Sequence, residues 1–125
     1  RILERAKLGR YGAEQMAGVD DARRRRWFTE QPSPQGPQYS VKAELKAMIR
    51  FAHLNLMGDW PMKGPFDAVL CRNVMIYFDK PTQARLVRRY WELLAPDGYL
   101  FVGHSESLTS LEHDYRYVQP AVYAK

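Results

Sequence analysis

The stretch PFDAVLCRNVMIYFDKPTQARLVRRYWELLAPDGYLFVG, Pro65 to Gly103, decides the fold. Phe66 to Cys71 is a short, nearly continuous apolar run of the kind that forms a strand covered on both faces. Asp79, with Pro81 in the first turn, opens a helix. Within it Leu86, Val87, Tyr90, Trp91 and Leu94 recur at helical spacing, which gives one apolar stripe. Ala95, Pro96, Asp97 and Gly98 are stop and turn signals. A second apolar strand, Tyr99 to Gly103, follows them. Strand, helix and strand in this order predict a right-handed βαβ crossover and a parallel pair, so the fold class is α/β.

That geometry gives the polar residues after the first strand a meaning. Ligands of open α/β sheets bind beyond the carboxyl ends of the strands, where Arg72, Asn73 and Tyr77 stand. Arginine there can grip a carboxylate or phosphate, and asparagine can read an adenine edge or a ribose hydroxyl. Tyrosine adds an apolar wall with a polar tip. The competing reading is that Arg72 and Asn73 only satisfy loop backbone groups, and the residues alone leave both open. Asn55 and Leu56, which close the segment RFAHLNL, form a similar pair, although asparagine after a strand is also a common turn former.

Outward from this unit the pattern is less regular. Ile2 to about Lys7 suggests the last turns of a helix stopped by Gly9. A second short helix is expected from Gly18 to Phe28, with Asp20 or Asp21 as its N-cap. Thr29 to Gln38, with three prolines and a glycine, reads as a loop. Tyr39, Val41 and Ala43, and then Ile49, Phe51 and His53, alternate as two antiparallel strands would, and ELKAMI, Glu44 to Ile49, between them reads as a short helix or turn. Tyr115 to Lys125 suggests one last strand. No internal repeat appears.

Composition narrows the function classes. At 125 residues the chain is long enough for one modest domain but short for most α/β enzymes, so it reads as a small domain or a piece of a larger one. No apolar run approaches the roughly 18 residues of a membrane span, and the charged start does not resemble a signal peptide. A single cysteine, Cys71, excludes an intrachain disulfide framework and favours a reducing cytoplasmic setting. It reads as a small core residue. The net charge of +5 suits an acidic protein surface or nucleic acid. Its densest part, Arg23 to Arg26, would point in all directions from a helix, which favours a solvated basic helix end.

Other chemistries find little support. His53, His104 and His113 are scattered, without metal-ligand spacing, so no metal site is expected. GHSES, Gly103 to Ser107, invites comparison with the G-x-S-x-G nucleophile elbow, but Ser107 stands where the strained turn needs glycine. No glycine-rich phosphate loop is present.

A strand beginning Phe-Asp, its polar end, a helix, LLAPDG and YLFVG resemble the later half of class I S-adenosylmethionine (SAM) methyltransferases. With CRNV, IYFDKPTQ and GHSES the likeness narrows to the CheR-type chemotaxis receptor methyltransferases. ILERAKLGRY and RFAHLNL extend it over essentially the whole chain. The resemblance implies a partial Rossmann-like sheet with a small inserted antiparallel β-subdomain. Residues 1–26 would be a helical lead-in, 27–56 the β-subdomain and return strand, and 57–125 the C-terminal half of the methyltransferase domain.

It also implies roles. Asn55 and Leu56 would contact SAM near its adenine, Arg72 and Asn73 would line the same pocket, and Tyr77 would lie near the methyl donor and the acceptor carboxylate. The substrate would be a glutamate on the cytoplasmic helices of a chemoreceptor, and in some family members the β-subdomain docks a receptor C-terminal peptide by strand addition. Neither nucleic acid nor membrane insertion is implied. A glutamate is already ionised at neutral pH, so no general base is needed. The family's glycine-containing loop and ribose-holding acid have no counterpart in the sequence, and the expectation is a C-terminal fragment that binds SAM weakly or not at all alone. The rival expectation is a non-catalytic signalling module that keeps the fold.

Overall fold

The computed structural model describes all residues from Arg1 to Lys125. It divides into two compact units, Arg1–Leu54 and Asn55–Lys125. No helix in either is long and apolar enough to cross a membrane.

The first unit is built around a three-stranded antiparallel sheet. Helix α1, Ile2–Leu8, ends at Gly9, whose left-handed backbone (φ 62°) turns the chain into β1, Arg10–Gly12. A short 3-10 turn, Ala13–Met16, precedes α2, Asp21–Trp27. Asp20 is the N-cap of α2, accepting from the Arg23 N–H at 2.7 Å. Strands β2, Phe28–Gln31, and β3, Gln38–Val41, complete a sheet of order β1-β3-β2. The predicted loop is therefore shorter than its composition suggested. Thr29 to Gln31 pair with β3, which leaves residues 32–37 as the connection.

The second strand expected at Ile49 to His53 does not form. A single helical turn, α3, Ala43–Lys46, follows β3 where a short helix or turn was one expectation, but residues 47–54 run without strand pairing. Alternation describes which way side chains point, but a strand also needs a neighbouring edge for its N–H and C=O groups, and none pairs with this segment. The arginine run fans out as its spacing requires. Arg24 pairs with Asp21, and Arg26 pairs with Glu44 and lies over the Trp27 ring.

The second unit carries β4, Phe66–Cys71, α4, Lys80–Leu93, β5, Leu94–Val102, β6, Arg116–Gln119, and β7, Val122–Ala124. Its mixed sheet has the order β4-β5-β7-β6, with β4 and β5 parallel and the other pairs antiparallel. The predicted βαβ element order is present as β4, α4 and β5. Leu86, Val87 and Tyr90 of α4 form one buried core with Cys71, Leu100, Val102, Leu108 and Tyr123. Burial of such side chains contributes roughly 2 kcal/mol each.

Three details differ from expectation. Strand β4 is an edge covered on one face, since Leu70 is 69% exposed while its partner strand's Leu100 and Val102 are fully buried. The stop signals Ala95 to Gly98 do not make a free turn between helix and strand. They form an irregular stretch within β5, with Asp97 at φ 67° and a register shift opposite Phe66 and Ala68. Finally, the tail is a hairpin, because the chain reverses at Pro120 and Ala121 (φ 68°) between β6 and β7.

Candidate functional site

Beyond the carboxyl ends of the parallel strands, the chain from Arg72 to Phe78 is fixed by hydrogen bonds between side chains and backbone groups. Cys71, the last residue of β4, is buried and its Sγ accepts from the Tyr90 hydroxyl at 3.0 Å. Burial pushes its thiol pKa up, with the Tyr90 hydrogen bond opposing. Arg72 then leaves the core, and its Nε donates to the Val102 carbonyl at 3.2 Å, lacing the ends of β4 and β5 together. Asn73 adopts φ 59°, a left-handed conformation that asparagine tolerates better than most residues.

One side chain collects the N–H groups that this turn directs inward. Glu106 Oε1 accepts from Asn73 N at 2.8 Å and from Gly103 N at 2.7 Å, and Oε2 accepts from Ile76 N at 3.0 Å. The residue is only 8% exposed. Gly103 gives room at this junction, where a Cβ would run into Asn73 Oδ1 and lie 3.0 Å from the backbone N of Asn73. The following 3-10 turn, Met75–Tyr77, buries Met75 and presents Ile76 and Tyr77, the latter 80% exposed. Gln83 of α4 closes the segment from below, its Nε2 donating to the carbonyls of Met75 (2.8 Å) and Phe78 (2.9 Å). Asp79 caps α4 through the Thr82 N–H at 2.9 Å, and hydrogen bonding to Thr82 holds its carboxyl below the usual range.

Asn55 and Leu56 lie in a second turn. Asn55 Oδ1 accepts from Met57 N at 3.0 Å and its carbonyl from Gly58 N at 3.0 Å, so the turn-forming role of this asparagine is realised. Leu56 is half-buried and packs against the core. Arg89 of α4 donates to the carbonyls of Leu56 (3.0 Å) and Gly58 (2.9 Å) while its guanidinium lies 3.8 Å from the centre of the Trp60 ring.

The structure thus puts Arg72, Asn73 and Tyr77 on one segment and Asn55 and Leu56 on another, each moored to α4. No hydrogen bond joins the two segments directly. Sequence reasoning missed the mooring residues Gln83, Arg89 and Glu106. Gln83 closed the motif IYFDKPTQ without being given a role, and Arg89 had no signal beyond lying on a helix. Glu106 sat inside GHSES, which was weighed as a nucleophile elbow and not as a carboxylate four residues after the strand end.

Residues 1–124 match the family model for the CheR methyltransferase, SAM binding domain. The chain belongs to this family. It is 42% identical over 124 residues to a chemotaxis protein methyltransferase of Klebsiella aerogenes, covering 98% of this chain and 43% of that protein. The corresponding Escherichia coli protein is 41% identical, with the same coverage. Chemotaxis protein methyltransferase 2 of Pseudomonas aeruginosa is 40% identical, over 98% of this chain and 44% of its own length. The CheR domain therefore spans less than half the length of these curated relatives.

SAM is the cofactor this CheR family membership implies. The donor set fits such a molecule. Arg72 has one nitrogen committed to Val102, is exposed, and takes part in no salt bridge, which leaves its guanidinium able to meet a carboxylate or hydroxyl. Exposed Asn73 offers both a donor and an acceptor, while Ile76, Tyr77 and Leu56 supply apolar surface for an aromatic base or an aliphatic chain.

Proposed function

We propose that this CheR domain forms part of the SAM pocket of a protein-glutamate O-methyltransferase acting on chemoreceptors in the cytoplasm. The observation that carries the reading is the Arg72–Tyr77 segment: polar and aromatic side chains on a turn held by side chain to backbone hydrogen bonds at the ends of two parallel strands, in a chain of this family. When bound, SAM supplies an electrophilic methyl group. Arg72, Asn73, Asn55 and Leu56 then bind and orient the cofactor. Tyr77, exposed on its 3-10 turn, orients the acceptor carboxylate by hydrogen bonding and helps to exclude water from it. No side chain has to remove a proton, because the acceptor glutamate is ionised at neutral pH.

The same reading makes residues 27–56, with β2 and β3 in a sheet that β1 completes, the inserted β-subdomain of a class I, Rossmann-like methyltransferase. Its outer strands β1 and β2 each leave one edge unpaired, which supports docking of a receptor C-terminal peptide by strand addition.

The test uses the whole protein with labelled SAM and receptor-containing membranes. Base-labile methyl incorporation is expected, since a glutamate methyl ester hydrolyses readily. Binding of receptor without transfer would instead favour a non-catalytic signalling module. Replacing Tyr77 by phenylalanine should lower kcat and leave SAM affinity near normal, and unchanged turnover would remove its assigned role.

A further inference from the structure

We propose that Glu106 is a positioning residue of the cofactor site, its carboxylate holding the Asn73–Tyr77 segment in the conformation that presents Asn73 and Tyr77. This rests on the cofactor reading above and extends it to a residue that touches neither reactant.

The geometry is that of a clamp. Glu106 follows β5 by four residues and reaches back across the sheet end, with sequence separations of 33 to Asn73 and 30 to Ile76. One oxygen holds Asn73 and Gly103, thereby joining the exit of β4 to the exit of β5, and the other holds Ile76. The segment is thus gripped at both ends. The bond to Asn73 N also fixes the left-handed residue that reverses the chain, so the direction of the Asn73 side chain depends on it.

Electrostatics explain why a carboxylate is used. Glu106 is buried and belongs to no salt bridge, so its charge is balanced by three N–H dipoles and not by a cation. The three donors in turn have one partner between them. Glutamine has the same shape but offers a single acceptor oxygen, and its amide would oppose an N–H with another donor. Glutamine should therefore preserve packing while releasing one end of the segment. Aspartate keeps both acceptors on a shorter arm.

The experiment compares Glu106→Gln, Glu106→Asp and Asn73→Ala in the whole protein, measuring SAM affinity by calorimetry and kcat and KM by methyl transfer. Glu106→Gln should weaken SAM binding by about tenfold or more. It should also lower kcat, with KM for the receptor unchanged, and Glu106→Asp should recover part of both losses. Folded Glu106→Gln protein with wild-type SAM affinity and kcat overturns the proposal. If Asn73→Ala binds SAM normally, the cofactor reading fails, whereas a defect in Asn73→Ala with none in Glu106→Gln overturns the positioning role alone. Amide exchange in the wild-type protein keeps the test decisive should Glu106→Gln not fold. The Asn73, Ile76 and Gly103 amides should be protected together, and exchange of Asn73 and Ile76 at the rate of open loop amides overturns the clamp.

Discussion

Arg89 donates to the carbonyl of Leu56 at 3.0 Å across a sequence separation of 33 residues, with Trp60 stacked against the guanidinium. This one residue ties the Asn55–Gly58 turn to α4, because its second nitrogen takes the Gly58 carbonyl. Arg89→Ala removes both charge-assisted bonds and should destabilise the protein by about 2 kcal/mol. Arg89→Lys, a point charge without the planar fork, should recover only part of that. Denaturant unfolding of the two variants checks the order.

Gly103→Ala tests how closely the ends of β4 and β5 approach. The added methyl would meet Asn73 Oδ1, Glu106 Oε1 at 2.9 Å and the backbone N of Asn73 at 3.0 Å. Relief requires Asn73 to move, so a loss of about 1–3 kcal/mol in stability is expected. Chemical-shift changes concentrated at residues 73–76 should accompany it. A variant as stable as wild type would mean that the junction yields without cost.

The contrast between these residues explains what was legible in the sequence. The βαβ order announced itself through periodicity, and Asp20 and Asp79 through cap chemistry, because both signals are local. Arg72, Asn73 and Tyr77 were found by position relative to a strand end. Long-range pairing was not legible. Nothing local says that Ile49 to His53 lacks a partner edge, that β4 is open on one face, or that Glu106 turns back to Asn73. Even the turn signals at Pro96 to Gly98 were correct as chemistry and misleading as topology, since the kink they form lies inside β5.

Two buried phenols make stability sensitive to alkali. Burial, together with its hydrogen bond to Cys71, pushes the Tyr90 pKa well above the ordinary tyrosine range, and burial does the same to Tyr115, whose hydroxyl donates to the Val87 carbonyl at 2.8 Å. In the unfolded chain both ionise near about 10. Their contribution is therefore fully present below that pH and is lost as pH rises through it, because the unfolded state releases its protons first. Each should cost on the order of 1.4 kcal/mol per pH unit above about 10. The double variant with Tyr90→Phe and Tyr115→Phe should unfold at lower denaturant at neutral pH but show a flatter alkaline limb.

Arg72 offers the sharpest choice between a structural and a functional strand-end residue. If its work is only the Nε bond to Val102, then Arg72→Ala should cost stability and leave SAM affinity unchanged in any molecule that remains folded. If its free nitrogens grip the cofactor, affinity should fall by at least about tenfold, a loss of roughly 1.4 kcal/mol, with a much smaller change in melting. Arg72→Lys separates the two contributions further, since lysine restores positive charge but neither the Nε–H at that position nor the planar fork. The cofactor reading expects it to recover little binding. A pair of variants with normal calorimetric SAM affinity and lowered unfolding midpoints would assign Arg72 to the sheet end, and leave Asn73 and Tyr77 as the residues of this segment that face the ligand.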